Sequence, residues 1–190
     1  MKLRIAFIML CLAATTGVQA QHIEFKWHGL YGMVDYSYMT NYNTNNYKAT
    51  FNEFNFVAGW QVRKETAFGF GFSYLHDPSG AFTQMPLFVE YRCHFLDSRI
   101  SPFAAVQAGY SIPTGSSSGG PDAISITQGG MSLSITTGAR YAIMKNLGIN
   151  IHVGYQALMM NEVEQMRDNI LVKKEGQVLH NIKIGVGINF

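Results

Sequence analysis

One predicted strand ends in three residues, His76, Asp77 and Ser79, whose types could perform nucleophilic chemistry. A serine beside a histidine can act as a nucleophile with its base, and a third group can orient that base. The same stretch reads Asp77-Pro78-Ser79-Gly80, which is an ordinary turn sequence. We therefore interpret it as a turn, with an enzyme as the alternative.

No other motif of catalysis or metal binding is present in the sequence. It contains no His-Glu-x-x-His, no Cys-x-x-Cys and no nucleophile elbow. The stretch 115–120 is rich in glycine but lacks the consecutive Lys and Ser/Thr that end a phosphate-binding loop. We expect a protein that is not an enzyme and that needs no cofactor or metal.

The first 20 residues have the pattern of an export signal. Lys2 and Arg4 precede the apolar stretch from Ile5 to Ala14, and Val18-Gln19-Ala20 offers a small-x-small cleavage site. The apolar stretch is shorter than the roughly 20 residues that span a bilayer, which disfavours a transmembrane helix. We expect a cleaved signal peptide at 1–20 and a single domain at 21–190.

Removal of that signal leaves a neutral, weakly charged domain. Lys plus Arg falls from 14 to 12 while Asp plus Glu stays at 12, so the net charge becomes zero. Charged residues make up 14% of the sequence, against about 25% in soluble proteins. Without a basic stripe, a nucleic-acid partner is not expected.

The domain contains eight segments in which apolar and polar residues alternate with period two, as in β-strands. The facing of the first is not evident, and its Gly29 and Gly32 suggest a bulge or bend. The longest connection, Asn161 to Gln177, is expected to be a solvated loop, with a helix as the alternative. The segments are Ile23–Tyr38, Phe54–Arg63, Phe68–Tyr74, Met85–Phe95, Ala104–Ile112, Met131–Ile143, Ile149–Gln156 and His180–Phe190.

The polar faces of these strands carry too little charge to contact bulk water. On the last four strands only Arg140 and Lys183 are charged among 20 polar-face positions, whereas roughly 25–35% of a water-facing surface is charged. Small polar side chains suit the narrow interior of an eight-stranded barrel, and aromatic residues collect at both ends of the apolar faces, as at membrane interfaces. The sequence therefore predicts an all-β fold, an eight-stranded antiparallel up-and-down transmembrane β-barrel.

Several charged residues are predicted inside this barrel, where they could line a pore or form an internal ion-pair network. With eight strands we favour a closed, side-chain-filled lumen, because buried charges generally need partners. Glu90 and Arg140 each lie a few residues from a short turn, so we expect them to pair across the lumen. His180, on the apolar face, has no obvious partner and is expected at the membrane interface. The predicted lumen charges are Glu53, Glu90, Arg92, Arg140 and Lys183.

These features resemble the small outer-membrane β-barrel proteins of Gram-negative bacteria. The resemblance covers the whole mature chain and is greatest to the outer-membrane β-barrel domain family labelled PorT-like, with a more distant likeness to the barrel of OmpA-type proteins. It rests on the signal peptide, the eight segments and the terminal Gly185-Val186-Gly187-Ile188-Asn189-Phe190. It implies location in the cell outer membrane, contact with its lipid, and recognition of the structural residue Phe190 by the barrel-assembly machinery.

The resemblance specifies architecture far more than activity, because similar barrels serve as anchors, adhesins, enzymes and secretion components. We expect a structural or recognition role through the extracellular loops, with an extracellular or secretion-system partner that the sequence does not name. The alternatives are a component of an outer-membrane secretion or transport system, and a lipid-modifying enzyme that requires His76 or Ser79.

Overall fold

A computed structural model of the chain describes residues 28–41, 50–63, 65–78, 82–116, 124–167 and 170–190. Within these ranges the side chains of residues 82, 115–116, 124–128, 160–167 and 170–177 are not described. The predicted signal peptide at 1–20 lies outside the described residues and stays a prediction. No helix in the described ranges is long and apolar enough to cross a membrane.

The described strands are antiparallel and form one sheet that closes on itself. β6 and β7 are separated by Gly129, and both pair with β8, so together they fill one position of the barrel. Pairing of β1 with β9 completes the circle, which confirms the predicted eight-stranded up-and-down barrel. The strands are β1 (Gly29–Asn41), β2 (Thr50–Gln61), β3 (Thr66–His76), β4 (Phe82–His94), β5 (Ile100–Ser116), β6 (Ile124–Gln128), β7 (Gly130–Met144), β8 (Leu147–Arg167) and β9 (Ile170–Asn189).

Alternation along each strand decides which side chains enter the lumen. The predicted apolar faces of the later strands point outward, as shown by exposed Phe56 on β2 and Ile184 on β9, while buried Asn55 points inward. β1 follows the same rule, with exposed Tyr36 beside buried Ser37. The facing of the first strand, which the sequence leaves open, is thereby settled.

The expected irregularity at the start of β1 is present at only one of the two glycines. Gly29 has a positive φ of 116°, a conformation that favours glycine. Gly32 instead occupies a regular pair with Ala58 and forms no bulge. β1 also continues to Asn41, beyond the predicted end at Tyr38.

Phe190 joins the first and last strands of the sheet. Its amide donates a hydrogen bond to the Gly32 carbonyl at 2.9 Å, and the Gly32 amide donates to the Phe190 carbonyl at 2.7 Å. The Phe190 ring lies where a side chain on residue 32 would be, so glycine lets β1 pass beneath the ring. Phe190 thus extends the pairing of β1 with β9 by one residue and covers Gly32 with its ring. Its recognition by the assembly machinery stays a prediction.

Opposite the short turns, β8 and β9 continue beyond the barrel. β1 ends at Asn41, which pairs with Asn181, whereas β9 begins at Ile170. These eleven residue steps correspond to about 36 Å of extended chain. β8 pairs with β9 up to Arg167, and β6 pairs with the same part of β8. The prediction of a loop or helix at 161–177 is wrong for the described residues, whose backbone forms a β-hairpin. The segment was not recognised as strand because its sequence lacks the alternation of apolar and polar residues.

Candidate functional site in the barrel lumen

Bulky side chains fill the lumen because glycines on neighbouring strands leave room for them. Tyr31 of β1 lies over Gly59 of β2 and Gly69 of β3, where added side chains would overlap its ring and its hydroxyl group, respectively. Phe88 of β4 occupies the space beside Gly71 in the same way. Glycine has no Cβ, so the wall of the barrel can approach these rings closely. The largest fully buried side chains include Arg140, Phe51, Phe103, Lys183 and Met33.

The carboxylate of Glu90 is the centre of a buried hydrogen-bond network. Arg92 donates from Nε to Glu90 Oε1 at 2.9 Å and from Nη2 to Oε2 at 3.3 Å. Gln107 Nε2 donates to Oε2 at 2.8 Å, and the Tyr31 hydroxyl donates to Oε1 at 3.2 Å. Because Tyr31 reaches β4 over the glycines of β2 and β3, the network connects β1, β4 and β5.

This network corrects the predicted pairing of Glu90 with Arg140. Glu90 lies opposite Gln107 on β5, whereas Arg140 lies opposite Ser101, and these two β5 positions are about 20 Å of strand apart. Arg92 is two residues from Glu90 on the same face of β4, and it forms the ion pair instead. The sequence did contain an indication of this partner, because residues two apart on one strand, such as Glu90 and Arg92, lie on the same face.

The other predicted lumen charges are also buried. Lys183 Nζ of β9 lies 3.4 Å from Glu53 Oε2 of β2, and both side chains are almost completely shielded from solvent. Arg140 is buried too, and Arg92 and Asp97 are among the charges that act on it. The ion pairs Arg92–Glu90 and Lys183–Glu53 form the internal network that the sequence predicts.

A second buried network joins Ser37, His152, Asn150 and Asp35. Ser37 Oγ lies 2.9 Å from His152 Nε2, and His152 Nδ1 lies 3.1 Å from Asn150 Oδ1. Asn150 Nδ2 donates to Asp35 Oδ1 at 3.1 Å. Side chains of β1 and β8 meet here across β9. Sequence reasoning missed this network because alternation predicts the facing of each residue but not which residues of non-adjacent strands meet.

The second network has the order of a nucleophile, a base and an orienting group, but it is tightly packed. A reacting group would need space beside Ser37 Oγ. Ser37 is completely buried, and a side chain on Gly185 would overlap both Ser37 Oγ and His152 Nε2. The described geometry therefore suits a hydrogen-bonded network that stabilises the arrangement of β1 and β8.

The residues that the sequence nominates for catalysis are only partly described. His76 is the last residue of β3, and its ring stacks on Tyr74 with centroids 6.3 Å apart. Asp77 is buried, and Ser79 lies outside the described residues. The Ser/His arrangement at this turn therefore stays a hypothesis.

His180 has a partner that the sequence did not reveal. Its Nδ1 shares a hydrogen bond with the hydroxyl of Tyr155, and both side chains are exposed on the outer surface. The two rings stack with centroids 5.9 Å apart. Among the described residues, no group of three or more potential metal ligands occurs.

The outer surface of the barrel is a belt of exposed apolar side chains. Phe70 is 76% exposed and Ile184 is 61% exposed, although both are strongly apolar. Trp60 lies near a short turn, and Tyr110 lies toward the opposite end. Soluble monomers rarely expose a contiguous apolar surface of this kind, whereas membrane barrels have an apolar band flanked by aromatic residues.

Solved structures of outer-membrane barrels resemble this chain over most of its length. Neisserial surface protein A gives a TM-score of 0.60 at 16% identity and covers 85% of this chain and 96% of its own. OprG from Pseudomonas aeruginosa gives 0.56 at 12% identity, with 88% and 99% covered. The N-terminal β-barrel domain of OprF from the same organism gives 0.50 at 10% identity, with 86% and 99% covered.

The sequence matches no protein-family model and no curated protein. At the identities found among the structures, the likeness concerns the backbone fold. This chain therefore has the closed, eight-stranded architecture of small outer-membrane barrels.

Proposed function

We propose that the chain is an integral protein of the cell outer membrane, in which a filled barrel anchors an extracellular β-hairpin used for recognition. The observation that carries this proposal is the continuation of β8 and β9 beyond the barrel, with β6 alongside. A projecting sheet offers a large surface to a partner at little ordering cost. The apolar outer belt and the likeness to outer-membrane barrels support the location.

The filled lumen supports an anchoring role over transport. Tyr31, Phe88 and the buried pair of Arg92 with Glu90 occupy the interior, and eight strands enclose little more than side chains. The part of the molecule available to a partner outside the cell is then the outer rim with its hairpin.

We further infer membership of the PorT-like group of outer-membrane barrels, on the strength of the terminal segment 185–190 and its seal against Gly32. A role in an outer-membrane secretion system is the corresponding alternative function. It predicts that a set of exported proteins is lost when the gene is deleted.

The location and orientation are tested with two epitope tags. One tag is inserted between residues 168 and 169, which separate the paired residues Arg167 and Ile170, and the matched tag is inserted between Lys145 and Asn146 in a short turn. Antibody should label intact cells that carry the hairpin tag, whereas the turn tag should require permeabilised cells. Labelling of the turn tag alone on intact cells would reverse the orientation.

The recognition role is tested by shortening the hairpin without disturbing the barrel. Replacing residues 161–176 by Asn-Gly joins Met160 to Gln177, which are already paired, through a two-residue hairpin turn. A deletion strain is complemented with this variant, or with a control in which 117–123 is replaced by a Gly/Ser segment of equal length. The surface-protein profile should be restored by the control and the full chain but not by the shortened chain.

Full restoration by the shortened chain would contradict the recognition role. A changed lipid composition that requires His76 or Ser79 would favour the enzyme alternative. Loss of exported proteins, restored equally by all three chains, would favour the secretion alternative.

A further inference from the structure

An open groove of about 690 Å³ crosses the outer surface of β2, β3, β4 and β5 near the short-turn end of the barrel. Ala58 and Ala108 are its small outward-facing residues, and Gly59 and Gly69 leave bare backbone between larger neighbours. Of the described residues that line it, only Glu90 is charged, and its carboxylate lies in the lumen. The groove is therefore apolar, and its volume is within the range of ligand pockets.

A second hollow of about 380 Å³ adjoins this groove on the side of β1. Leu30, Ala58 and Phe70 line both spaces, so the two share a border. Gly32 and Phe190 line the far side of the second hollow. None of the described residues around it is charged. The outer surface thus has two adjoining apolar hollows.

The side chains at the border between the hollows are left largely uncovered by the protein. Leu30 is 79% exposed and Phe70 is 76% exposed, the highest values among the large apolar side chains of the described chain. Phe68, on the same face of β3 as Phe70, packs against Tyr91 with ring centroids 5.0 Å apart. Phe70 instead lies opposite Ala58, which is too short to cover its ring. Two large apolar groups are therefore available to an apolar ligand.

The depth of the hollows in the membrane indicates what that ligand is. Both hollows open onto the apolar belt, and Trp60 and Tyr91 beside them are rings of the kind that prefer a membrane interface. In the proposed orientation this is the periplasmic half of the membrane, where the surrounding molecules are phospholipids. A phospholipid has two acyl chains, which matches two hollows with a shared border.

We propose that the two hollows bind one phospholipid of the periplasmic leaflet, with one acyl chain across Ala58 and Ala108 and the other beside Gly32. Leu30 and Phe70 lie between the chains and are covered by both. Bulk lipid is equally apolar, so selectivity comes from close packing of the chains against a concave wall. The inference rests on the proposed membrane location and is separate from the recognition role of the hairpin.

The test uses the purified full chain with Trp27→Phe, in which Trp60 is the single tryptophan. The protein is reconstituted in phosphatidylcholine with brominated chains, which quench tryptophan on contact, and is then exchanged into octyl glucoside with excess unbrominated lipid. We expect Trp60 to stay quenched and native mass spectrometry to find one phospholipid per chain. A second reporter, Tyr141→Trp with both natural tryptophans replaced by phenylalanine, lies on β7 away from the groove and should recover its fluorescence at once.

Two variants test whether the hollows are responsible for retention. Ala58→Leu intrudes on both hollows and Ala108→Leu on the groove alone, and neither changes a charge. Each should shorten lipid retention about tenfold, because roughly ten carbon contacts with the acyl chain are lost. Ala139→Leu is the control, since it adds the same side chain to the face of β7 that carries Tyr141, and it should leave retention unchanged.

Heat-modifiable migration establishes that each variant is folded before retention is measured. Equal recovery at Trp60 and at the second reporter, or equal retention by the unmodified chain and both groove variants, would overturn the proposal. A lipid-free particle of twice the mass of the chain would also overturn it, by assigning this surface to a second copy. Failure to insert into vesicles would contradict the membrane location itself, whereas insertion followed by rapid loss of lipid would contradict only the site.

Discussion

Gly32 and Gly59 are both crowded, but by atoms that differ in their freedom to move. A side chain on Gly32 would meet the far end of the Phe190 ring, which can swing toward the membrane. A side chain on Gly59 would meet the Phe68 carbonyl oxygen and the Tyr31 ring. Gly59→Ala should therefore destabilise the barrel by about 1–3 kcal/mol, as overpacking usually does, and Gly32→Ala should cost clearly less. Unfolding free energies in lipid vesicles measure the difference, and a larger loss for Gly32→Ala would contradict this account.

Removal of either partner of the buried Glu90–Arg92 ion pair should lower the unfolding free energy of the barrel strongly. Breaking a buried ion pair by removing one partner costs about 3–5 kcal/mol, because the other charge is left without compensation. Glu90→Gln combined with Arg92→Leu should cost less than the sum of the two single changes.

A matched cycle provides the control for this pair. Glu90→Gln with Arg140→Leu should be closer to additive, since Glu90 is bound by Arg92, Gln107 and Tyr31. Unfolding free energies of both cycles are compared in the same lipid. Stronger coupling to Arg140 than to Arg92 would restore the pairing expected from the sequence.

Along a single strand, the cost of a charge on the outer face should depend on depth. Ile135 and Tyr141 both point outward on β7, and Tyr141 is near the short turn. Arg at the bilayer midplane costs about 2–4 kcal/mol, whereas near an interface it costs about 0–1 kcal/mol. Ile135→Arg should therefore lower the unfolding free energy far more than Tyr141→Arg. Equal losses would show that Ile135 is not near the middle of the membrane.

Sequence patterns predicted strand facing well where one face is apolar. On β2, Phe54 and Phe56 face outward and Asn55 faces inward, as alternation requires. The part of the β8–β9 hairpin beyond the barrel was missed because residues 161–177 lack that alternation in the sequence.

Contacts inside the lumen could be predicted only in part. Arg92 and Glu90 share one strand face, so their proximity was available from spacing alone. The meeting of Ser37 with His152 depends on the register of β1 and β8 against β9, and no local pattern encodes that register.

At the scale of the whole molecule, the filled lumen predicts an electrically closed barrel. The unmodified protein should give no steady conductance in a planar bilayer. Replacing Tyr31 and Phe88 together by alanine should increase ion flow, because both rings occupy the lumen. Phe70→Ala removes an equally large ring from the outer surface and should leave the conductance unchanged. A large steady conductance of the unmodified protein would disprove the closed lumen.

Removal of Phe190 should affect assembly more than any other single aromatic change. It deletes both backbone hydrogen bonds to Gly32 and the ring that covers this position. We expect low outer-membrane levels and degradation by periplasmic proteases, measured by fractionation and immunoblotting. The exposed Phe70, away from the seam, provides a matched control as Phe70→Ala. Normal levels of the Phe190-deleted chain would argue against a role of this residue in insertion.

The pairing of β1 with β9 also sets the order of events during folding. Except for β5 with β7 and β6 with β8, which each pass over one strand, the other strand pairs join neighbours along the chain, and such local contacts form quickly. Met33 can meet Asn189 only after nearly the whole chain is available, so loop-closure entropy makes this the slow step. Until then both terminal strands have unpaired edges that can template aggregation. The yield of closed barrel should therefore depend on how long the chain remains open, more than on the stability of the closed state.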